Sequence, residues 1–308
     1  MKFGRHFLKK SILLVSIFTP FTLMASEPVN GYYDAKNNWI VFEWETPDNG
    51  LQRSILDSGN KVKPAIKSAV SYDQAAQVFT YTFTISNLQG AVQAIKGIYV
   101  YHPAPVSNAT NPSPAEEWSG NEYRKQGIWY WSKDRGSIHG IPAGQTVSGF
   151  SFKSSGLPTI VDAKFSGRAR NRYFVPGDDD SPSVDQSFDR IYSQLKAQYP
   201  NSFIDTVSLK TLGPVNPPAT FDAAGSIRNL ITLVNQSRAQ GWIDNDGIAN
   251  SLTAKLNTAL SKATSDPKTA KNVLGAFLND VQAQNGKHLS SEAYALLYFN
   301  GQYVVTHM

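Results

Sequence analysis

The stretch GWIDNDGIANSL (241–252) gathers Asp244, Asn245, Asp246 and Gly247, the oxygen ligands and tight-turn glycine expected of a calcium loop. An EF-hand needs ligands at its first, third and fifth positions, a glycine at the sixth and a bidentate Glu at the twelfth. With Gly247 as the glycine, the first position falls on Trp242 and the last on Thr253. The first ligand and the bidentate carboxylate are both missing. A helix junction explains the residues better. Gly241 ends one helix, Trp242 and Ile243 pack inward, and Asp244, Asn245 or Asp246 caps the next. No metal ligand and no cofactor is assigned.

A search for catalytic groups returns little. GFSFK (149–153) carries Lys where a nucleophile elbow needs its last Gly, and there is no H-E-x-x-H. His102, His139, His288 and His307 do not fall at metal-ligand spacing. A lone His such as His102 reads as a hydrogen-bonded structural residue. Glu116 and Glu117 could supply one carboxylate of a glycosidase pair, but no second is marked out. Asp178, Asp179 and Asp180, with Asp185 and Asp189, could offer oxygen ligands to calcium. They read better as a solvated run beside Arg168, Arg170 and Arg172. No residue is assigned as catalytic.

Aromatic side chains are the stronger signal. EEWSGNEYRKQGIWYWSKDRG (116–136) holds Trp118, Tyr123, Trp129, Tyr130 and Trp131. On a strand Trp129 and Trp131 share one face and Tyr130 takes the other. One face belongs to the core; the other is a shelf suited to stacking on a sugar or on a partner's side chains. Trp118, Trp129 and Trp131 are the candidate ligand-binding residues.

These residues need strands to position them. VFTYTFTIS (78–86) alternates Phe79, Tyr81, Phe83 and Ile85 with threonines, a period of 2. NWIVFEWE, IKGIYVYH, GIWYWS, QTVSGFSF and PTIVDAKFSG behave alike, and a weaker run lies near Val62 to Tyr72. Residues 33–175 are therefore expected to form an antiparallel, immunoglobulin-like β-sandwich of roughly seven strands. Its Pro/Asn/Ser loop from Pro103 to Pro114 is long for a hairpin. Residues 176–221 read as a linker. It holds a short helix in DQSFDRIYSQLKAQY and ends in a proline segment, LGPVNPPATF, stiff enough to hold two domains apart.

From 222 to 308 the period becomes helical. Ile227, Leu230, Ile231 and Val234 form one stripe, and Ile248, Leu252, Leu256 and Leu260 a second. Ala270, Val273, Leu274, Phe277, Leu278 and Val281 form a third; Tyr294, Leu296 and Leu297 begin a fourth. Gly241 and Gly286 follow helices, while Asp266-Pro267 and Ser290 with Glu292 open them, so an all-α bundle of four helices is expected. Within it, GWIDNDGIANSLTAKLNTAL and AKNVLGAFLNDVQAQNGKHLSSEAYALL resemble the FIMAH-type helical domain of secreted bacterial proteins, over about residues 222 to 300. The resemblance implies an accessory module and no catalysis. The β half resembles secreted immunoglobulin-like domains only loosely.

The start of the chain bears on destination. Lys2, Arg5, Lys9 and Lys10 precede the apolar SILLVSIFTPFTLM (11–24) and small Ala25, so residues 1–25 are expected to be a cleaved secretory signal. The run is shorter than the roughly 20 residues a membrane span needs. The chain carries 29 Lys+Arg against 24 Asp+Glu, and four of those bases lie in the signal. The remainder is near neutral, which argues against nucleic acid as a partner. The absence of Cys excludes disulfides, thiolate metal sites and a lipoprotein anchor. The expectation is an exported protein, secreted or periplasmic. Its leading role is non-enzymatic binding of a glycan or an extracellular protein. A glycan hydrolase with its site in the 103–136 loops, or a structural envelope component, are the alternatives.

Overall fold

The computed structural model describes residues 29–46, 50–57, 59–112, 118–123, 125–133, 140–167, 182–203 and 206–308. The expected signal segment, Glu116, Glu117, His139, the arginines at 168, 170 and 172, and Asp178 to Asp180 lie outside them. Three antiparallel sheets form the N-terminal part, and helices follow at the C-terminus.

The first sheet is small. β1 (Asn30–Asp34), β2 (Trp39–Thr46) and β3 (Gly50–Asp57) pair in chain order. Alternation in β2 puts Ile40, Phe42 and Trp44 on one face, where a helix covers them. That helix is α1 (Pro182–Gln198), which contributes Phe188, Ile191 and Leu195. Phe188 meets Phe42 and Trp44 edge-on, with ring centroids 4.6 and 5.4 Å apart. A Cβ on Gly31 would collide with the Ile191 side chain, so glycine lets α1 approach β1 closely. Two expectations change here. NWIVFEWE is not a strand of the larger sheets, and the short helix expected in the linker is the cover of this separate core. The apolar face of β2 is buried against α1, in a cluster separate from the larger core.

The larger sheets comprise nine strands: β4 (Pro64–Asp73), β5 (Val78–Asn87), β6 (Gly97–Tyr101), β7 (Ser107–Thr110), β8 (Trp118–Glu122), β9 (Ile128–Lys133), β10 (Gln145–Ser154), β11 (Leu157–Ser166) and β12 (Val207–Val215). One sheet runs β4-β5-β10-β7, the other β12-β11-β6-β9-β8. Tyr81, Phe83, Phe150 and Phe152 from the first face Val100, Trp131, Phe165 and Leu212 from the second in one core. Each such ring or branched chain contributes about 1.5–3 kcal/mol on burial. β12 corrects a further expectation. Residues 207–215 fall in the segment read as linker, yet they pair in unbroken register with β11, from Leu157↔Val215 to Phe165↔Val207. Pro214 occupies the outermost strand, where a missing N–H leaves no ladder bond unmade.

Four helices complete the chain: α2 (Ala223–Ala239), α3 (Asp246–Lys262), α4 (Pro267–Gln284) and α5 (Ser291–His307). The expected stripes point inward, and Asn245, Asp266 and Ser290 cap the last three helices by accepting from Ile248, Thr269 and Ala293 N–H. Gly241 and Gly286 sit at φ +72° and +71° in open space, so backbone conformation alone selects glycine there. No described helix is long and apolar enough to cross a membrane.

The bundle is not held away from the sheets. Both share one apolar core, and α5 lies along β4, β11 and β12. Its first turn meets the open edge of β4. Ser68 N–H donates to Glu292 Oε1 at 2.6 Å, and Ser291 Oγ donates to Ser68 O at 2.8 Å. Farther along, Asn300 Nδ2 donates to Pro158 O at 2.9 Å, and Phe299 packs edge-on to Phe79 at 5.2 Å. Glu292 is buried, and its carboxylate is used across the junction, not in a capping box. Glu292→Ala should leave the Ser68 N–H buried without an acceptor and cost about 1–3 kcal/mol. Urea unfolding of the whole chain measures this. A loss below about 0.5 kcal/mol would mean the contact is dispensable.

Candidate functional site

The three tryptophans do not form an exposed shelf. Trp131 is fully buried and Trp118 is 6% exposed. Trp131 stacks on Phe152 at 6.1 Å and meets Phe83 and Phe150 edge-on, while its Nε1–H donates to Thr110 O at 3.2 Å. Trp118 sits edge-on to Phe150 at 5.0 Å. Trp129 is partly buried against the same core, next to Trp131 at 6.2 Å. Gly120 makes this possible: a Cβ there would lie 2.9 Å from Trp131 Cδ1 and 3.0 Å from Trp129 Nε1. The indoles thus cover β8 at close range. Alternation had already put Trp129 and Trp131 on one face, and that face is the core one.

The opposite face of β9 carries the aromatic platform. Tyr130 pairs in register with Tyr99 on β6, and their rings stack at 4.3 Å and 19°. Tyr123 stands edge-on to both, at 5.8 and 6.0 Å. Gly97 in β6 lets Ser166 Oγ and the Tyr130 and Tyr99 rings close over its backbone, where a Cβ would collide with them. Around it lie polar groups. Asn121 pairs with Tyr130, Lys164 pairs with Tyr99, and Ser119 Oγ lies 3.1 Å from Ser132 Oγ. Lys164 Nζ also sits 5.4 Å from the centre of the Tyr101 ring. Burial, then the neighbouring Tyr130 and Tyr123 hydroxyls, push the Tyr99 phenol above its ordinary value, so it stays a neutral donor and acceptor. Tyr99, Tyr101, Tyr123 and Tyr130 are each part-exposed. Sequence reasoning named this face as the alternative but chose the tryptophans. The deciding signal was the run GIYVY, whose tyrosines alternate with Ile98 and Val100.

The other sequence candidates sort as follows. His102 is buried, with Nδ1 3.1 Å from Ala104 O, as a structural histidine would be. Its Nε2 has no partner among the described residues. Asp189 falls on α1. In the 241–252 loop the carboxylates have protein partners. Asp246 pairs with Arg238, whose Nη1 also donates to Ile243 O at 3.0 Å, and Asp244 Oδ1 lies 2.7 Å from His288 Nδ1. The loop is tied to the turn before α5: Ser290 N–H donates to Trp242 O and Asp244 N–H to His288 O. Among the described residues no three His, Cys, Asp or Glu gather as metal ligands would. The stretch is a helix junction stitched to a second junction.

Residues 227–306 match the FIMAH domain. The match covers α2 to α5 apart from the first residues of α2 and the last of α5. No curated protein matches the chain. Within the FIMAH region the helix junctions carry most of the electrostatics. The Arg238 guanidinium hydrogen-bonded to Asp246 holds that carboxyl below its ordinary value, and the Thr269 hydroxyl and N–H do the same for Asp266. A depressed folded-state value stabilises above the unfolded carboxylate range, near about pH 4, and the effect is lost as pH falls through the folded value.

Two outcomes follow. Asp266→Asn keeps a good cap without the charge, so its melting temperature should fall less than that of the parent between pH 5 and pH 2; an equal fall would show that the Asp266 charge contributes nothing. Trp131→Ala should cost about 3–5 kcal/mol through the cavity it leaves, whereas Tyr130→Ala should cost under about 1.5 kcal/mol. Thermal melts of the two variants separate core from platform, and equal losses would place Tyr130 in the core as well.

Proposed function

We propose that this is an exported, non-enzymatic binding protein that recognises a glycan on the outer face of its five-stranded sheet. The observation that carries the reading is the stacked Tyr99–Tyr130 pair with Tyr123 beside it, bordered by hydroxyl and amide groups. Sugar rings present C–H faces that pack on aromatic rings and hydroxyls that need donors and acceptors, and this face offers both. The charged groups nearby do not make it a site for an anion: Lys164 lies against Tyr101, and Lys210 pairs with Asp162 at 2.7 Å. Export rests on the basic and apolar leader and agrees with the absence of a lipoprotein cysteine.

We read the two larger sheets as an immunoglobulin-like sandwich. Strand order supports this. In chain order β4, β5, β7 and β10 stand as A, B, D and E of one sheet, and β6, β11 and β12 as C, F and G of the other. The β8–β9 hairpin then extends the second sheet beyond C, and it brings in Tyr123 and Tyr130. On this reading the platform is a graft on the sandwich.

Retention on cellulose, chitin, starch and peptidoglycan columns tests the function. Tyr130→Ala and Tyr99→Ala should weaken retention on one of these by about tenfold or more, near 1.4 kcal/mol. If the parent binds none of them, or both variants bind like the parent, glycan recognition at this face is wrong. Release of reducing sugar from a retained glycan would instead make the protein a hydrolase.

A further inference from the structure

We propose that the cleft where the β sheets, the proline segment and the FIMAH region meet is a second binding site, for a single neutral sugar residue. It does not rest on the tyrosine platform. The cleft measures about 470 Å³ and lies between the start of β11, the end of β12, Pro217-Pro218, the N-terminus of α2 and the last turns of α5. That volume falls within the range of small-ligand pockets.

Two side chains in it have hydrogen-bonding capacity that the fold leaves unused. Asn300 is 8% exposed and lines the cleft. Its Nδ2 donates to Pro158 O at 2.9 Å and to Leu296 O at 2.7 Å. Carbonyls only accept, so the amide can point one way alone, and its Oδ1 is left without a donor among the described residues. Oδ1 is still open to solvent, so Asn300, as a lining side chain, offers the cleft an acceptor for a ligand O–H or N–H. The second is Asp222. It occupies the N-cap position of α2 but makes no capping hydrogen bond. Its carboxylate lies instead over Gly225, in the space a Cβ would take. An unused cap beside a helix N-terminus is a ready acceptor at the cleft wall.

The walls select the ligand class. None of the described lining residues is Lys, Arg or His, so a phosphate or carboxylate would find no countercharge. Asp222 is the single acid, too little for a hard cation that wants six or more oxygens. Asn229 and Ser226 add neutral donors and acceptors, while Tyr303 and the prolines supply apolar surface. A pyranose matches this set. Its hydroxyls donate to Asn300 Oδ1 and Asp222 and accept from Asn229, and its C–H face lies on the Tyr303 side.

Titration calorimetry of the whole chain with glucose, galactose, mannose and N-acetylglucosamine tests it, with inorganic phosphate and choline as controls. At least one sugar should bind with a Kd of about 1 mM or tighter. Asp222→Ala and Asn229→Ala, both at exposed positions, should each weaken that binding about tenfold with melting temperature unchanged. Tyr130→Ala should leave it intact, which separates this site from the platform. Binding of no sugar, binding of phosphate or choline in its place, or sugar binding that survives both cleft variants would each overturn the proposal.

Discussion

A strand at the rim of a sheet leaves a row of N–H and C=O groups without partners, and β4 is such a strand. Its middle is closed by the first turn of α5, where Glu292 accepts from Ser68 N–H and Ser291 donates to Ser68 O. Ser68 Oγ also lies 3.4 Å from the N–H of Leu212 on β12, the rim strand of the facing sheet. One residue thus gathers both rims and the bundle. A buried carboxylate is tolerated there because it accepts a short, charge-assisted hydrogen bond. From this point the rest of the junction follows. α5 runs over the open corner, Phe299 reaches Phe79, and Asn300 reaches Pro158. The cleft lies where the Pro217-Pro218 segment passes from β12 to α2 beside the last turns of α5.

The five-stranded sheet shows how alternation divides labour. Indoles bury the most apolar area and go inward, where Trp131 joins Phe83, Phe150 and Phe152. Phenols can keep an edge and a hydroxyl in water, and they lie outward as Tyr99, Tyr123 and Tyr130. The stacked pair rests directly on the core, since Tyr99 lies between Ile98 and Val100 and Tyr130 between Trp129 and Trp131. A rigid aromatic surface loses little entropy on binding, which suits recognition.

Much of the architecture is legible from residue order alone. The period of 2 in VFTYTFTIS, the helical stripes after Asp222, the caps Asp266 and Ser290, and the glycines Gly241 and Gly286 are local signals, set by backbone sterics and by which face meets water. So is the reading of GWIDNDG as a helix junction, because a missing ligand is missing in any fold. The FIMAH resemblance, carried by the same glycines and asparagines, is of this kind.

Other features depend on partners distant in the chain. Nothing in NWIVFEWE says that its apolar face meets Phe188 and not Tyr81, because alternation specifies a face but not what covers it. The proline-bearing TLGPV read as linker until β11 supplied a strand to pair with, since β pairing is a property of two segments. Tryptophan or tyrosine on the open side of β9 was a choice between two equal parities, settled by the sheet packed against Trp131. Ser290 with Glu292 marked the start of a helix, and only the approach of β4 shows that the Glu292 carboxylate accepts from Ser68 N–H. Residue order sets what each segment can bury; tertiary structure decides what it is buried against.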